Sequence, residues 1–262
     1  MREAEDRYPD GELKARATAV AAGISEKDIK GVPVALTLPR GIEQIEAALG
    51  ILLSGNSYLP VSLSQPKDRR ALIHEKTGVR YVVTNRELSE KLDWPEGTEI
   101  LVMEGMEEGQ ENVRLPEVSP KDSAYIIMTS GSTGVPKGVE IAHESAWNTV
   151  QDINEKYHVT SADRALAVSA MDFDLSVYDV FGILGAGGTL GIASRAGEKE
   201  CGLLAGTSVE ISDYRLEFSA GASGYAFDTG GIHETETADQ GGYAFRRLDW
   251  DGSPAEGCGM DR

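Results

Sequence analysis

The chain is short of cysteine, of positive charge and of long apolar runs, and each shortage closes off a class of function. Its two cysteines, Cys201 and Cys258, are too few and too far apart for a disulfide framework or a cysteine metal site. They read as free thiols. Lys and Arg number 25 against 43 Asp and Glu, a formal charge of −18. A nucleic-acid backbone demands a basic face, so no nucleic-acid partner is expected. No apolar run has membrane-spanning length, and no leader pattern of charged, apolar and small residues is visible. The expectation is a soluble cytoplasmic protein without a membrane partner. What remains is globular: 40% hydrophobic and 26% charged residues over 262 positions, enough to bury a large core in one domain or two.

Along the first part of the chain the pattern alternates strand and helix. The apolar run 32–38 reads as a strand that ends at Pro39-Arg40-Gly41. Ile42, Ile45, Leu49 and Leu52 then recur at helical spacing, and Gly55-Asn56 is the stop. Residues 58–61 read as a second strand, 67–76 as a polar helix, and 80–84 as a third strand. Short links between such elements predict a parallel sheet covered by helices, an α/β fold. Residues 86–120 are charged and proline-punctuated, a surface connection carrying one strand at 99–102. The alternation resumes with a helix over 144–157, a strand over 165–169 and a helix over 177–184. Burial is expected in 34–38, 45–53, 81–83, 125–128 and 165–168.

The most informative stretch is Thr129-Ser130-Gly131-Ser132-Thr133-Gly134-Val135-Pro136-Lys137-Gly138, which follows the apolar strand 124–128. Four hydroxyls, three glycines and one lysine make a loop rich in unhindered N–H donors. Glycine permits the close backbone approach that a phosphate cradle needs, and lysine brings a compensating charge. The alternative is a plain Gly/Ser surface turn. Two familiar phosphate loops do not fit. A Walker loop closes on Gly-Lys-Ser/Thr, whereas Lys137 lies between Pro136 and Gly138. A dinucleotide fingerprint needs Gly-x-Gly-x-x-Gly, which Gly131 and Gly134 do not supply.

The run closely resembles the phosphate-binding signature of adenylate-forming enzymes. Over residues 1–190 the chain looks like the front part of an adenylation domain of a nonribosomal peptide synthetase. Gly11-Glu12-Leu13-Lys14-Ala15-Arg16-Ala17 resembles the family's opening helix motif, and Gly55-Asn56-Ser57-Tyr58-Leu59-Pro60 its Gly-x-x-Tyr-x-Pro motif, both structural. The resemblance implies that Thr129, Ser130, Gly131, Ser132, Thr133, Gly134 and Lys137 contact the ATP phosphates. Phe173-Asp174-Leu175-Ser176, forty residues after Gly134, matches the Phe-Asp-x-Ser motif, whose aspartate pairs with the substrate's α-ammonium. The alternative is that Asp174 caps the helix that follows. His143 fits the family pattern and is assigned no acid–base role. The resemblance further implies ATP and Mg²⁺ as cofactors, an amino acid as substrate and a carrier-protein domain as partner. The wording of 38–44 and 169–182 leans towards thiazoline- or oxazoline-forming synthetases, which activate Cys, Ser or Thr.

After Leu190 the character changes. Thirteen of the thirty glycines fall in the last 72 residues, with only eight Ile, Leu and Val, and no period of 2 or 3.6 holds for a full element. Later family motifs, including the ribose-binding aspartate and the catalytic lysine of the small C-terminal domain, are missing, so no catalytic residue is retained. The chain is expected to be an N-terminal fragment, with a partial adenylation domain at 1–190 and a poorly structured tail at 191–262. Read one nucleotide later with free synonymous choice, codons for 211–228 and 245–254 spell strings that resemble the family in the correct order. That suggests a frameshift between Leu190 and Glu198; the competing view is a genuine glycine-rich extension. Three functions stay open: an amino-acid adenylation fragment inactive by itself, an acyl- or aryl-CoA ligase fragment, and a non-catalytic nucleotide-binding module.

Overall fold

The computed structural model describes residues 10–106, 115–130, 136–192, 208–211, 214–221 and 224–229. The described residues 10–192 belong to one compact unit, and the described residues 208–229 to another. The short apolar runs of the first unit form strands as predicted: β1 (Pro33–Leu36), β2 (Ser57–Pro60), β3 (Tyr81–Thr84) and β4 (Glu99–Val102). β1 pairs in parallel with β2 and β3, β3 with β4, and β2 with β5 (Ser123–Ser130). β6 (Pro136–Ala142) adds to β5 in the antiparallel sense, giving the order β4-β3-β1-β2-β5-β6. The fold class is therefore as expected, a mainly parallel α/β sheet.

Helices α1 (Asp10–Ser25) and α2 (Ile42–Leu53) supply one apolar layer. Val20 and Ile24 of α1 and Ile45, Ala48 and Ile51 of α2 join Val34, Leu36 and Tyr58 of the sheet in one buried cluster. The helices approach closely because α2 offers Gly50: a Cβ there would lie 2.5 Å from Val20 Cβ. Glu46, 2% exposed, is held at the same interface 3.8 Å from the Arg16 guanidinium. On the opposite face α3 (Lys67–Thr77) packs Ile73 against Ala35, Leu59, Val61 and Val82. Gly78 ends α3 in the left-handed region, with its N–H on the His74 carbonyl at 2.9 Å.

Several elements differ from expectation. The connection 86–120 contains a short helix, α4 (Arg86–Lys91), capped by Asn85, whose Oδ1 accepts the Leu88 N–H at 3.0 Å. The glycine-rich run is not wholly loop, since β5 extends to Ser130 and β6 begins at Pro136. Burial is as expected in β1, α2 and β3 but weaker beyond them. Over 123–129 of β5 only Ala124 and Ile127 are buried, and after β7 (Arg164–Ala167) Val168 is 45% exposed. The physical reason is pairing: among the described residues β7 has one neighbour, the parallel strand β8 (Thr189–Ile192). α5 (His143–Lys156) and the helical segment 175–185 lie between β6 and β8 in the chain.

In the second unit the backbone forms an antiparallel meander, β9 (Ser208–Ile211), β10 (Tyr214–Gly221) and β11 (Gly224–Thr229), with Phe218 paired to Phe227. β10 alternates Tyr214, Leu216 and Phe218 with Arg215, Glu217 and Ser219, a period of 2 that the sequence reading above does not find. Both cysteines and most of the tail lie outside the described residues. Among the described residues no helix is long and apolar enough to cross a membrane.

Candidate functional site

The β5–β6 hairpin presents the two flanks of the predicted phosphate loop. Thr129 sits opposite Lys137 and Ser130 opposite Pro136, in antiparallel register. Thr129 and Lys137 are both exposed, and the Thr129 hydroxyl donates to the Lys137 carbonyl at 3.3 Å. Gly138 lets the strands close up, for a Cβ there would meet Ile126 and Met128 side chains at 3.1 and 3.3 Å. Gly131, Ser132, Thr133 and Gly134 lie outside the described residues.

The segment 168–185 is organised around a buried carboxylate. Asp179 accepts the backbone N–H groups of Ser169 at 2.8 Å and Val168 at 3.2 Å, fixing the chain that leaves β7. The Arg40 guanidinium, in the loop after β1, donates to the Ala167 carbonyl at the end of that strand. Gln65 donates to Asp172 at 2.7 Å, so the connection after β2 is tied to the same turn. The helical segment that follows is wound as a π-turn at Tyr178–Gly182 between α6 (Leu175–Val177) and α7 (Ile183–Gly185). Single π-turns inside helices often mark functional sites. Asn154 of α5 holds it at both ends, accepting from the Tyr178 hydroxyl at 2.7 Å and donating to the Gly182 carbonyl at 3.0 Å.

Asp174 precedes this helix, exposed, and its side chain makes no capping hydrogen bond. The capping alternative is thereby overturned: the backbone at Asp174 is already right-handed helical rather than extended, and the carboxylate is not aimed back at the first N–H groups. Its charge is felt instead at Tyr125 of β5. Burial first, and then the negative charge of Asp174, push the Tyr125 phenol above its ordinary range. Tyr125 in turn lies against Tyr58, ring centroids 5.6 Å apart, and Tyr58 against Phe181 at 6.2 Å. One strand thus carries a neighbour of Asp174 at position 125 and the flank of the glycine-rich loop at 129–130.

His143 opens α5 with its N–H on the Asp122 carbonyl at 3.0 Å. Its ring is pushed below the usual histidine value by burial, against the pull of Asp122. The supporting residues Asp179, Arg40, Gln65 and Asn154 escape the sequence reading. Asp179 alone carries a local signal, since a carboxylate within the apolar run 177–181 must find buried partners.

Comparison with known proteins bears on this geometry. The family model described as AMP-binding enzyme matches residues 8–212. Pyochelin synthetase PchE of Pseudomonas aeruginosa is 42% identical over 191 residues, which are 71% of this chain and 13% of that protein. Phenyloxazoline synthase MbtB of Mycolicibacterium paratuberculosis is 38% identical over 192 residues, 72% of this chain and 16% of that one. The nonribosomal peptide synthetase FmoA3 has been solved in an AMPPNP-bound form and an α-methyl-L-serine-AMP-bound form. These superpose with TM-scores of 0.63 and 0.61 at 38% and 36% identity, covering 69% and 70% of this chain and 19% and 20% of FmoA3. The chain thus spans less than a fifth of the length of these curated relatives. It belongs to the AMP-binding enzyme family, within the adenylation domains of nonribosomal peptide synthetases.

Proposed function

We propose that the chain carries the phosphate-binding and amino-group-binding parts of an amino-acid-adenylating ligase. In the parent reaction a carboxylate oxygen of the amino acid attacks the α-phosphorus of ATP. The bond from that phosphorus to the oxygen bridging the β-phosphate breaks, pyrophosphate leaves, and aminoacyl-AMP remains for transfer to a carrier-protein thiol. Thr129 through Gly134 would cradle the triphosphate with N–H and hydroxyl donors, and Lys137 would add positive charge. Such a step is dominated by positioning and charge stabilisation. Asp174 would take the α-ammonium.

The observation that carries this reading is the state of Asp174. It is exposed, engaged in no cap, and close enough to Tyr125 for its charge to raise that phenol. An acyl or aryl acid has no ammonium to meet such a carboxylate. The AMPPNP and aminoacyl-AMP forms of FmoA3 support ATP and an amino acid as the substrate pair. A relative named as a phenyloxazoline synthase supports the lean to Ser, Thr or Cys. Among the described residues no three His, Cys, Asp or Glu side chains converge to hold a metal. Mg²⁺ would enter on the phosphates themselves.

We also propose that the chain does not turn over by itself and that its frame leaves the family between Leu190 and Glu198. The family match runs on to residue 212, so the encoding DNA with its downstream frame is the direct check on the second point. The first is tested by amino-acid-dependent pyrophosphate–ATP exchange across the standard amino acids and a panel of aryl and acyl acids. No exchange is expected. Exchange with an amino acid that disappears in Asp174→Ala would overturn the inactivity and keep the role of Asp174. Exchange with an aryl or acyl acid, indifferent to Asp174→Ala, would favour the CoA-ligase reading. A folded chain that binds ATP but shares no site with any carboxylic acid would favour the non-catalytic module.

A further inference from the structure

The helical segment 175–185 is gripped from the side by a closed set of contacts. The Tyr178 hydroxyl donates to Asn154 Oδ1 at 2.7 Å, and Asn154 Nδ2 donates to the Gly182 carbonyl at 3.0 Å. The Tyr178 ring completes the circuit by lying across Gly182, where a Cβ would stand 2.6 Å from it. Any side chain at 182 would push the ring aside and carry its hydroxyl away from Asn154. A carbonyl can only accept, so the bond to Gly182 fixes which end of the Asn154 amide faces which partner.

These contacts fall on the two ends of the π-turn, Tyr178 and Gly182. Such turns are rare and occur mostly singly inside α-helices. Here the Gly182 carbonyl receives the Ala186 N–H only at 3.3 Å, and the shorter bond comes from Asn154. Each residue of an α-helix advances about 100° around the axis, so the extra residue of a π-turn rotates the backbone before it by about one such step relative to the backbone after it. Ile183, buried, follows the turn, and Asp174 precedes it. Whatever holds the turn open therefore also decides which way the Asp174 end faces.

Asp174 has little else to orient it. Its carboxylate makes no capping bond, and α6 (Leu175–Val177) is a single turn, too short to keep a direction by itself. We infer that Asn154 is a positioning residue: through the π-turn it sets the direction in which Asp174 presents its carboxylate to the substrate's ammonium. The last clause rests on the amino-group reading of Asp174 proposed above, whereas the clamp is a property of the fold. Asn154 acts only through residues 175–182.

Tyr125 supplies the readout, because burial and then the charge of Asp174 raise its phenol. In the full chain labelled with ring-¹³C tyrosine, its NMR signal is the one lost in Tyr125→Phe. In Asp174→Ala this phenol should titrate at lower pH than in the unaltered chain. Asn154→Ala should shift it in the same direction, and the double variant no further than Asp174→Ala alone. Tyr178→Phe, a milder change that removes one of the two hydrogen bonds, should give part of the shift, so the test does not hang on Asn154→Ala folding. Leu88→Ala in α4 removes core packing away from the clamp and should leave Tyr125 unchanged. L-serine, titrated by ligand-observed NMR, should bind several-fold more weakly to Asn154→Ala and lose binding in Asp174→Ala. An unshifted Tyr125 in folded Asn154→Ala or Tyr178→Phe, an equal shift in Leu88→Ala, or a shift from Asn154→Ala that persists when Asp174 is already alanine would overturn the inference. So would serine binding that Asp174→Ala abolishes and Asn154→Ala leaves unchanged. If no amino acid binds the unaltered chain, the amino-group reading fails, and the Tyr125 shifts still decide the clamp.

Discussion

The carboxylate of Asp179 accepts the Ser169 N–H at 2.8 Å from across the turn that carries Asp174. With the second bond to Val168, it satisfies two backbone donors that no strand partner reaches. Asp179→Ala leaves both donors and their loop unsupported. A loss of about 3 kcal/mol in urea unfolding is expected, from two orphaned N–H groups at roughly 1–3 kcal/mol each, partly recovered by water. Asp179→Asn keeps one acceptor oxygen and should lose less. Amide exchange should quicken at 168–174 in the alanine variant; unchanged exchange there would show that the turn is held by Arg40 and Gln65 alone.

Tyr58 is completely buried, yet its hydroxyl has no partner among the described residues. Its phenol is pushed well above the ordinary range, by burial first and then by Tyr125. The ring, not the hydroxyl, is what the core uses, through its contacts with Tyr125 and Phe181. Tyr58→Phe should therefore be neutral or raise stability by about 1 kcal/mol, whereas Tyr58→Ala should cost about 3–5 kcal/mol. A clear loss in Tyr58→Phe would mean that a buried water or an undescribed residue completes the hydroxyl.

Gly50 is where α2 meets α1. A methyl group there would fall 2.5 Å from Val20 Cβ and 2.9 Å from the Ala17 carbonyl oxygen. Gly50→Ala gains helix propensity but overpacks the seam, and the overpacking wins because backbone as well as side chain stands in the way. A net loss of about 2 kcal/mol is expected. Val20→Ala in the same chain should recover part of it, a non-additivity that a double-mutant cycle reads directly.

Much of this was legible in the sequence because strands β1 to β4 are short apolar runs bounded by Pro, Gly and charge, and α2 repeats its apolar residues at helical spacing. α4 was not legible. Leu88 is its single buried residue, so it has no periodic face and is held by the Asn85 cap and by Glu104, whose oxygens accept the Arg86 N–H at 3.0 Å. β6 starts at a proline, contains Gly138 and exposes Lys137 through Glu140, the pattern of an edge strand without an apolar face. At the site, the glycine-rich run and Asp174 were visible as motifs.

His74 gives the fold a pH dependence with a definite sign. Burial lowers its pKa in the folded chain, outweighing the Val79 carbonyl that raises it, and Arg70 adds to the lowering. The unfolded chain, near the ordinary value of about 6.5, then binds more protons than the folded one as pH falls. The stabilisation is fully present above that value and is lost as pH falls through the folded pKa. His143 is shifted the same way and adds to the slope. Urea midpoints should therefore rise from pH 5 to pH 7, with a shallower rise in His74→Phe. An equal slope in that variant would assign the dependence to His143 and the carboxylates.

Lys137 is exposed and lies opposite Thr129 at the mouth of the glycine-rich run. A cation in that position attracts a triphosphate through solvent, and solvent charges are screened over about 8–10 Å at physiological salt. ATP binding by this chain should accordingly be weak and should fall several-fold between about 50 and 300 mM NaCl. Lys137→Ala should weaken binding at low salt and flatten the salt dependence. Asp174→Ala should leave ATP affinity within about twofold, because its proposed partner is the ammonium of the other substrate; any change should be a small gain from removing a negative charge. Equilibrium dialysis at the two salt concentrations separates these outcomes. Tight binding that ignores salt would show that adenine or ribose is gripped by buried contacts, and the loop would then not be the principal ATP site.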